Sequence, residues 1–198
     1  MPPAFSAEER TRITEGLLET GYRLFTTQGL RKTSLDDLVA PAGIAKSSFY
    51  AFFASKEALY LELMLRQAPQ LHGRLSTVLE QAQDTRAALR GFLRATVRIL
   101  EDNPLYHRLI THPEEMRAVA RRVGPAEAAR ANRVLPLPEF LDAAKAKGQL
   151  ADADTDEVLG VLQAVLLLPM HRADLGEDRY PGVLDRLIDI VATGLTTE

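Results

Sequence analysis

The chain contains no cysteine. Disulfides, thiolate metal sites and a thiol nucleophile are therefore excluded, and the composition fits a reducing compartment without requiring one. No sign of charge predominates: 24 Lys+Arg stand against 27 Asp+Glu, for a net charge of -3. Residues 1–66 carry 8 of each sign, leaving 16 basic and 19 acidic residues in the remainder. Distribution matters more than the total, and neither part is basic enough to establish an anionic partner by charge alone. There is no long hydrophobic run either. The longest apolar stretch, Val158 to Met170, is interrupted by Gln163 and falls short of the roughly 20 residues a membrane span needs. The opening MPPAFSAEERTR has no signal-peptide apolar core. These absences predict a soluble, cytoplasmic protein with no membrane partner.

Catalytic signatures are missing too. There is no H-E-x-x-H, no G-x-S-x-G and no glycine-rich phosphate loop. His107 and His112 are five residues apart and do not share a helical face. No enzyme activity, cofactor or metal is expected, and no catalytic or metal-ligating residue is assigned.

What is present reads as helix throughout. Ala, Leu, Glu and Arg dominate, no stretch alternates with period two for long, and no fixed-period repeat or low-complexity tract occurs. Ser6 and Glu9 form an S-x-x-E capping box, so a first helix starts near Ala7. Its apolar face is Ile13, Leu17, Leu18, Tyr22 and Phe25, and Gly29 stops it. Thr33 or Ser34 caps a short second helix with Asp36 and Asp37 in its first turn. Pro41, Ala42 and Gly43 break that helix. A third short helix runs from about Ala45 to Phe52, and Ser55 caps a long fourth. Further starts are expected at Asp84, Asn103-Pro104, His112-Pro113, Gly124-Pro125, Asp154 and Tyr180-Pro181. The fold class is all-α, with about nine helices.

Two short helices joined by a tight turn at Gly43 make a helix-turn-helix, an arrangement whose second helix enters the major groove of DNA. At about 100° per residue, Ala45, Phe49, Phe52 and Phe53 share the inward side of that helix. Lys46, Ser47, Tyr50 and Ala51 fall on the outward arc, with Ser48 between. One cation, hydroxyls, a phenol and a methyl suit phosphate and base-edge contacts, and no carboxylate lies on that face.

The stretch GYRLFTTQGLRKTSLDDLVAPAGIAKSSFYAFFASKEALYLEL resembles the DNA-binding domain of the TetR/AcrR family of transcriptional regulators. The matching pieces are Phe25, Gly29, Thr33-Ser34, Leu38, Ala42-Gly43-Ile44, Phe49-Tyr50, Phe53, Ser55-Lys56-Glu57 and Leu59, in order and at the family spacing. The resemblance covers roughly residues 8–66. It implies that Thr33 and Ser34 hold a phosphate at a helix N-terminus, that Lys46, Ser47 and Ser48 face the groove, that Tyr50 reaches backbone or base, and that Lys56 binds a phosphate. Three positions depart from the family: Ala45 in place of a capping Ser or Thr, Ala51 in place of a common His, and Pro41 in place of a helix former. The resemblance further implies a helix-turn-helix domain over residues 1–55 and an effector-binding and dimerisation domain over 56–198. It also implies a homodimer on a palindromic operator in double-stranded DNA, and a repressor released by a small hydrophobic effector of unidentified structure.

For the C-terminal part the expectations are coarser. Leu159, Leu162, Val165, Leu166 and Met170 form one stripe, and Leu184, Leu187, Ile188, Val191 and Leu195 another. Leu159, Leu162, Leu166, Leu184, Leu187, Ile188 and Val191 are the expected dimer contacts, by analogy with the family's dimeric four-helix bundle; a helix buried in a monomeric core fits the same stripes. Phe92, Tyr106, His107, Ile110, Met116, Phe140 and Leu166 are the expected ligand contacts in a pocket with a few polar groups. The same residues suit ordinary core and surface positions. An activator, or a pure interaction bundle, is compatible with this part of the chain.

Overall fold

The protein is described by a computed structural model covering residues 5–124 and 136–197. Among the described residues there are ten α-helices and two 3-10 helices, and the lone β-type pairing is an isolated bridge between Leu150 and Thr196. The helix expected at Gly124-Pro125 lies outside the described residues. The chain divides into two compact units, Met1–Gln67 with His112–Asn132, and Ala68–Thr111 with Arg133–Glu198.

The first unit opens with α1 (Ala7–Thr27), started by the Ser6–Glu9 capping box. The Ser6 hydroxyl accepts from the Glu9 N–H at 3.2 Å, and the Glu9 carboxylate accepts from the Ser6 N–H at 2.8 Å. Then come α2 (Leu35–Val39), a 3-10 helix (Lys46–Ala51) and the start of α3 (Lys56–Glu80). Ile13, Leu17, Leu18, Phe25, Leu38, Phe49, Leu59 and Tyr60 are all buried; the Phe25 and Tyr60 rings lie 5.4 Å apart. Each such side chain stabilises the unit by roughly 1.5–3 kcal/mol. Gly21 lets α1 and α3 approach closely, because a Cβ there would come within 3.0 Å of Leu59 Cδ2. α6 (Pro113–Val123) joins this unit, and its buried Glu115 accepts from the Arg31 N–H at 3.4 Å.

The second unit holds the rest of α3, then α4 (Thr85–Asp102), α5 (Pro104–Thr111), α7 (Leu137–Ala146) and α8 (Thr155–Leu167). A 3-10 helix (Leu168–His171), the short α9 (Arg172–Leu175) and α10 (Tyr180–Gly194) complete it. Asp84 caps α4 through the Ala87 N–H, Asn103 caps α5 through Leu105, and Asp154 caps α8 through Asp156. The core combines Leu75, Leu79, Leu89, Phe92, Leu93, Leu141, Leu162 and Ile188. Arg94 and Arg90 on α4 pair with Asp185 and Asp189 on α10 at 3.0 and 3.1 Å.

One expectation about hydrophobicity is corrected. By length and composition Thr155–Leu175 does reach the threshold of a membrane span. Its uninterrupted α-helix is the 13 residues of α8, about 20 Å at 1.5 Å per residue against a hydrocarbon core of about 30 Å. The helix tightens to 3-10 form just before Pro169.

Candidate nucleic-acid interface

The helix-turn-helix is built from α2, the turn at Gly43 and the 3-10 helix. Ser34 starts α2 with a second capping box. Its hydroxyl accepts from the Asp37 N–H at 3.1 Å, and its own N–H donates to Asp37 Oδ2 at 3.0 Å. α2 ends after five residues, immediately before the Ala40-Pro41 step; a residue preceding proline is disfavoured from continuing a helix. Gly43 takes φ +65°, a left-handed conformation that side chains resist.

The third element is a 3-10 helix, not the α-helix expected from the sequence. Its N-cap, Ala45, offers no side-chain hydrogen bond, and the tighter i to i+3 bonding of 3-10 form is frequent in short connecting elements. The change of pitch leaves the facing largely intact. Phe49 is buried, Phe52 and Phe53 are half-buried, and Lys46, Ser47, Tyr50 and Ala51 are exposed, with Ser48 half-buried. Ala45, expected inward, is exposed. Tyr50 is 58% exposed, its ring edge-on to that of Phe49 at 5.8 Å.

The polar residues expected at the interface are placed unevenly. Lys46, Ser47 and Tyr50 project into solvent together. Lys46 does not stand free: its Nζ lies 2.9 Å from Asp36 Oδ2, and this carboxylate holds the lysine above its ordinary pKa. Asp36 thus brings to the outward face a carboxylate that the wheel of the third helix could not reveal. Ser34 is exposed, and its hydroxyl also donates to Asp37 Oδ2 at 2.7 Å. Thr33 is 1% exposed. Its hydroxyl donates to Gly29 O at 2.7 Å and accepts from Gln28 Nε2 at 3.3 Å, and its N–H is spent on Gly29 O. Thr33 therefore offers no free donor to a phosphate in this conformation. Lys56 is also committed inward, its Nζ donating to Leu30 O at 2.8 Å and Thr33 O at 2.9 Å. It ties down the loop that precedes α2.

Sequence reasoning missed Arg10. Its Nη2 donates to Ala51 O at 2.9 Å, and its guanidinium lies over the Phe52 ring at 5.0 Å from the centroid. α1 thereby holds the C-terminal end of the 3-10 helix. No spacing rule within the helix-turn-helix points to a residue 41 positions away.

The expected effector and dimer residues belong mainly to the second unit. Phe92 is in its core, with Tyr106, Phe140 and Leu166 packed against that core. Burial raises the Tyr106 phenol to about 12. Ile110 is buried, His107 is exposed, and Met116 belongs to the first unit. Leu162 and Ile188 lie fully inside the core of the second unit; Leu159, Leu184, Leu187 and Val191 are packed against it in part. The apolar side chains that face solvent on α8 and α10 are instead Val161, Leu167, Val183 and Ile190.

This is an all-α protein whose N-terminal unit carries a helix-turn-helix. Residues 17–63 match the family model for bacterial regulatory proteins of the tetR family. The chain is 28% identical over 100 residues to the HTH-type transcriptional repressor KstR2 of Rhodococcus jostii, covering 50% of this chain and 49% of that protein. It is 39% identical over 69 residues to the HTH-type transcriptional regulator EthR of Mycobacterium tuberculosis, covering 35% of this chain and 32% of that one. These matches thus span about half or less of the curated relatives. The fold matches a TetR-family transcriptional regulator from Pectobacterium atrosepticum with TM-score 0.69 at 22% identity, covering 98% of this chain and 99% of the other. A TetR-family transcription regulator from Marinobacter aquaeolei aligns with TM-score 0.57 at 17% identity, covering 98% and 100%. The similarity to the TetR family of bacterial regulatory proteins is carried by residues 17–63, in the helix-turn-helix unit.

Proposed function

We propose that the protein is a DNA-binding transcriptional repressor. It acts in the cytoplasm, reads a palindromic operator as a homodimer and is released by a small hydrophobic effector. The observation that carries the DNA-binding reading is the shared exposure of Lys46, Ser47 and Tyr50 on the third element of a helix-turn-helix whose inward face is anchored by Phe49. Side chains of these types recognise phosphate oxygens and base edges. Ser34 adds an exposed hydroxyl at the N-terminus of α2, which reaches a phosphate only by leaving Asp37 Oδ2. In this reading residues 1–55 contain the reading head, and 56–198 hold the effector and the dimer contacts. No catalytic role is assigned to any residue.

The homodimer rests on a second observation. α8 presents Val161 and Leu167 to solvent, and on α10 Val183, Leu187 and Ile190, with Gly182 and the flanking Arg179 and Arg186, line a groove of about 500 Å³. Helices that bury one face in a core and leave another apolar face uncovered are suited to pairing with a second copy. A two-fold dimer would set two reading elements against half-sites about 34–36 Å apart. The effector would act by favouring a conformer in which that spacing is lost, to the extent of its differential affinity for the two.

The test is fluorescence anisotropy of a labelled duplex pool titrated with protein at several salt concentrations. Phosphate contacts release counterions, so log K should fall linearly with log salt. Folded protein that shows no binding at low salt would contradict the proposal.

A further inference from the structure

The first unit contains a cleft of about 630 Å³, within the range of small-ligand pockets. Its apolar walls are Phe52, Phe53, Ala58, Leu61, Leu65 and Val123. Phe52 and Phe53 follow directly on the 3-10 helix, Ala58 to Leu65 are the first turns of α3, and Val123 ends α6. The walls are held from behind: Phe52 lies 5.4 Å from Phe5 and under Arg10, and Phe53 lies 6.0 Å from Phe49.

Four polar side chains border the cleft; Ser55 accepts from the Ala58 N–H as the cap of α3, which leaves Thr14, Glu62 and Arg122 to decide what the cleft would take. Glu62 borders it, but its carboxylate accepts from Arg66, which also pairs with Glu15 at 2.9 Å. Arg122 borders it as well and has no ion-pair partner among the described residues. Arg122 is therefore the lining cation that no described carboxylate engages, although Glu15, Glu62, Arg66 and Arg122 together sum to zero charge. Thr14 points the same way. Thr11, Thr26 and Thr27 of α1 each donate to a carbonyl one turn back, whereas the hydroxyls of Thr14 and of the buried Thr20 make no hydrogen bond to any described residue, and of these two only Thr14 borders the cleft.

We infer that this cleft binds a small apolar organic anion, a carboxylate or sulfonate carried on a ring or chain. The hydrocarbon part lies against Phe52, Phe53, Leu61 and Leu65. The Arg122 guanidinium takes the anionic head as a charge-assisted hydrogen bond, and the Thr14 hydroxyl supplies a further donor. None of the residues that line this cleft is among the expected effector contacts.

The chain contains no tryptophan, so Phe53→Trp places the molecule's single indole in the cleft. The variant is titrated, without DNA, with 1-anilinonaphthalene-8-sulfonate, an aromatic sulfonate that emits in apolar surroundings. The expected result is saturable energy transfer from indole to probe at one site, weakened roughly tenfold when Arg122→Glu is added. Leu65→Trp serves as the reporter if Phe53→Trp alters the helical circular dichroism. Absence of transfer, or saturable transfer unchanged by Arg122→Glu, overturns the inference. The readout involves no DNA, so its failure leaves the repressor proposal standing, and failure of that proposal leaves this one standing.

Discussion

The Lys46 ammonium lies 2.9 Å from the Asp36 carboxylate, joining the exposed faces of α2 and the 3-10 helix. Both side chains are more than half exposed, and a pair of this kind contributes little to folding. Its significance lies at the proposed interface. A phosphate approaching Lys46 competes with Asp36 and is repelled by it. Asp36→Asn is predicted to tighten DNA binding about threefold to tenfold. Lys46→Ala should weaken it about tenfold and reduce the salt slope by about one. Anisotropy titrations at three salt concentrations measure both. Weaker binding by Asp36→Asn would show that the carboxylate positions Lys46 productively.

Lys56 is predicted to act on the fold more than on the phosphate. Its ammonium donates to Leu30 O and Thr33 O, and hydrogen bonds to a charged group contribute roughly 1.5–3 kcal/mol. Lys56→Met keeps the stem and deletes the charge. It should lower stability to urea by about 1–3 kcal/mol while leaving the salt slope of DNA binding nearly unchanged. A lost slope with unaltered stability would return Lys56 to the role that the family resemblance implied.

The α2 capping box gives a pH dependence with a defined sign. Hydrogen bonds from the Ser34 hydroxyl and N–H hold the Asp37 carboxyl below its ordinary pKa. A depressed carboxyl contributes stability that is present above its unfolded pKa, about 4, and is lost as pH falls through the folded value. The stability difference between wild type and Asp37→Asn should therefore be steady near neutrality and shrink below about pH 4. Denaturant melts from pH 7 to 3 measure it. A gap that widens on acidification would reverse the assignment.

Core and surface on α8 and α10 should separate cleanly. Leu162→Ala removes a fully buried side chain and should destabilise by about 2–5 kcal/mol. Leu167→Glu and Ile190→Glu alter exposed positions and should leave the helical signal intact while converting dimer to monomer in sedimentation velocity. Dimers that persist in both charged variants would move the interface elsewhere.

Much of this fold could be read from short-range chemistry. The caps at Ser6, Ser34, Ser55, Asp84 and Asp154 each act within one helical turn, so sequence spacing suffices to find them. The outward positions of Lys46, Ser47 and Tyr50 followed from helical periodicity, even though the element adopted the tighter 3-10 pitch. What sequence could not supply was long-range pairing. Asp36 reaches Lys46 from another helix, Arg10 reaches Ala51 across 41 residues, and Lys56 turns inward to carbonyls of a distant loop. The stripes on α8 and α10 show a different limit. A helix apolar on two faces does not declare which one the core takes. Here Leu162 and Ile188 went to the core, and the sparser face with Val161, Leu167 and Ile190 was left to solvent.

The central claim, that a dimer of this chain reads an operator, is tested most directly by selecting bound sequences from a random duplex pool with purified protein at physiological salt. The account predicts enrichment of one palindrome with half-sites about one DNA turn apart. It further predicts that the enrichment is lost in Tyr50→Ala with the helical signal unchanged. Folded wild-type protein that enriches no sequence, with no small molecule added, would contradict it.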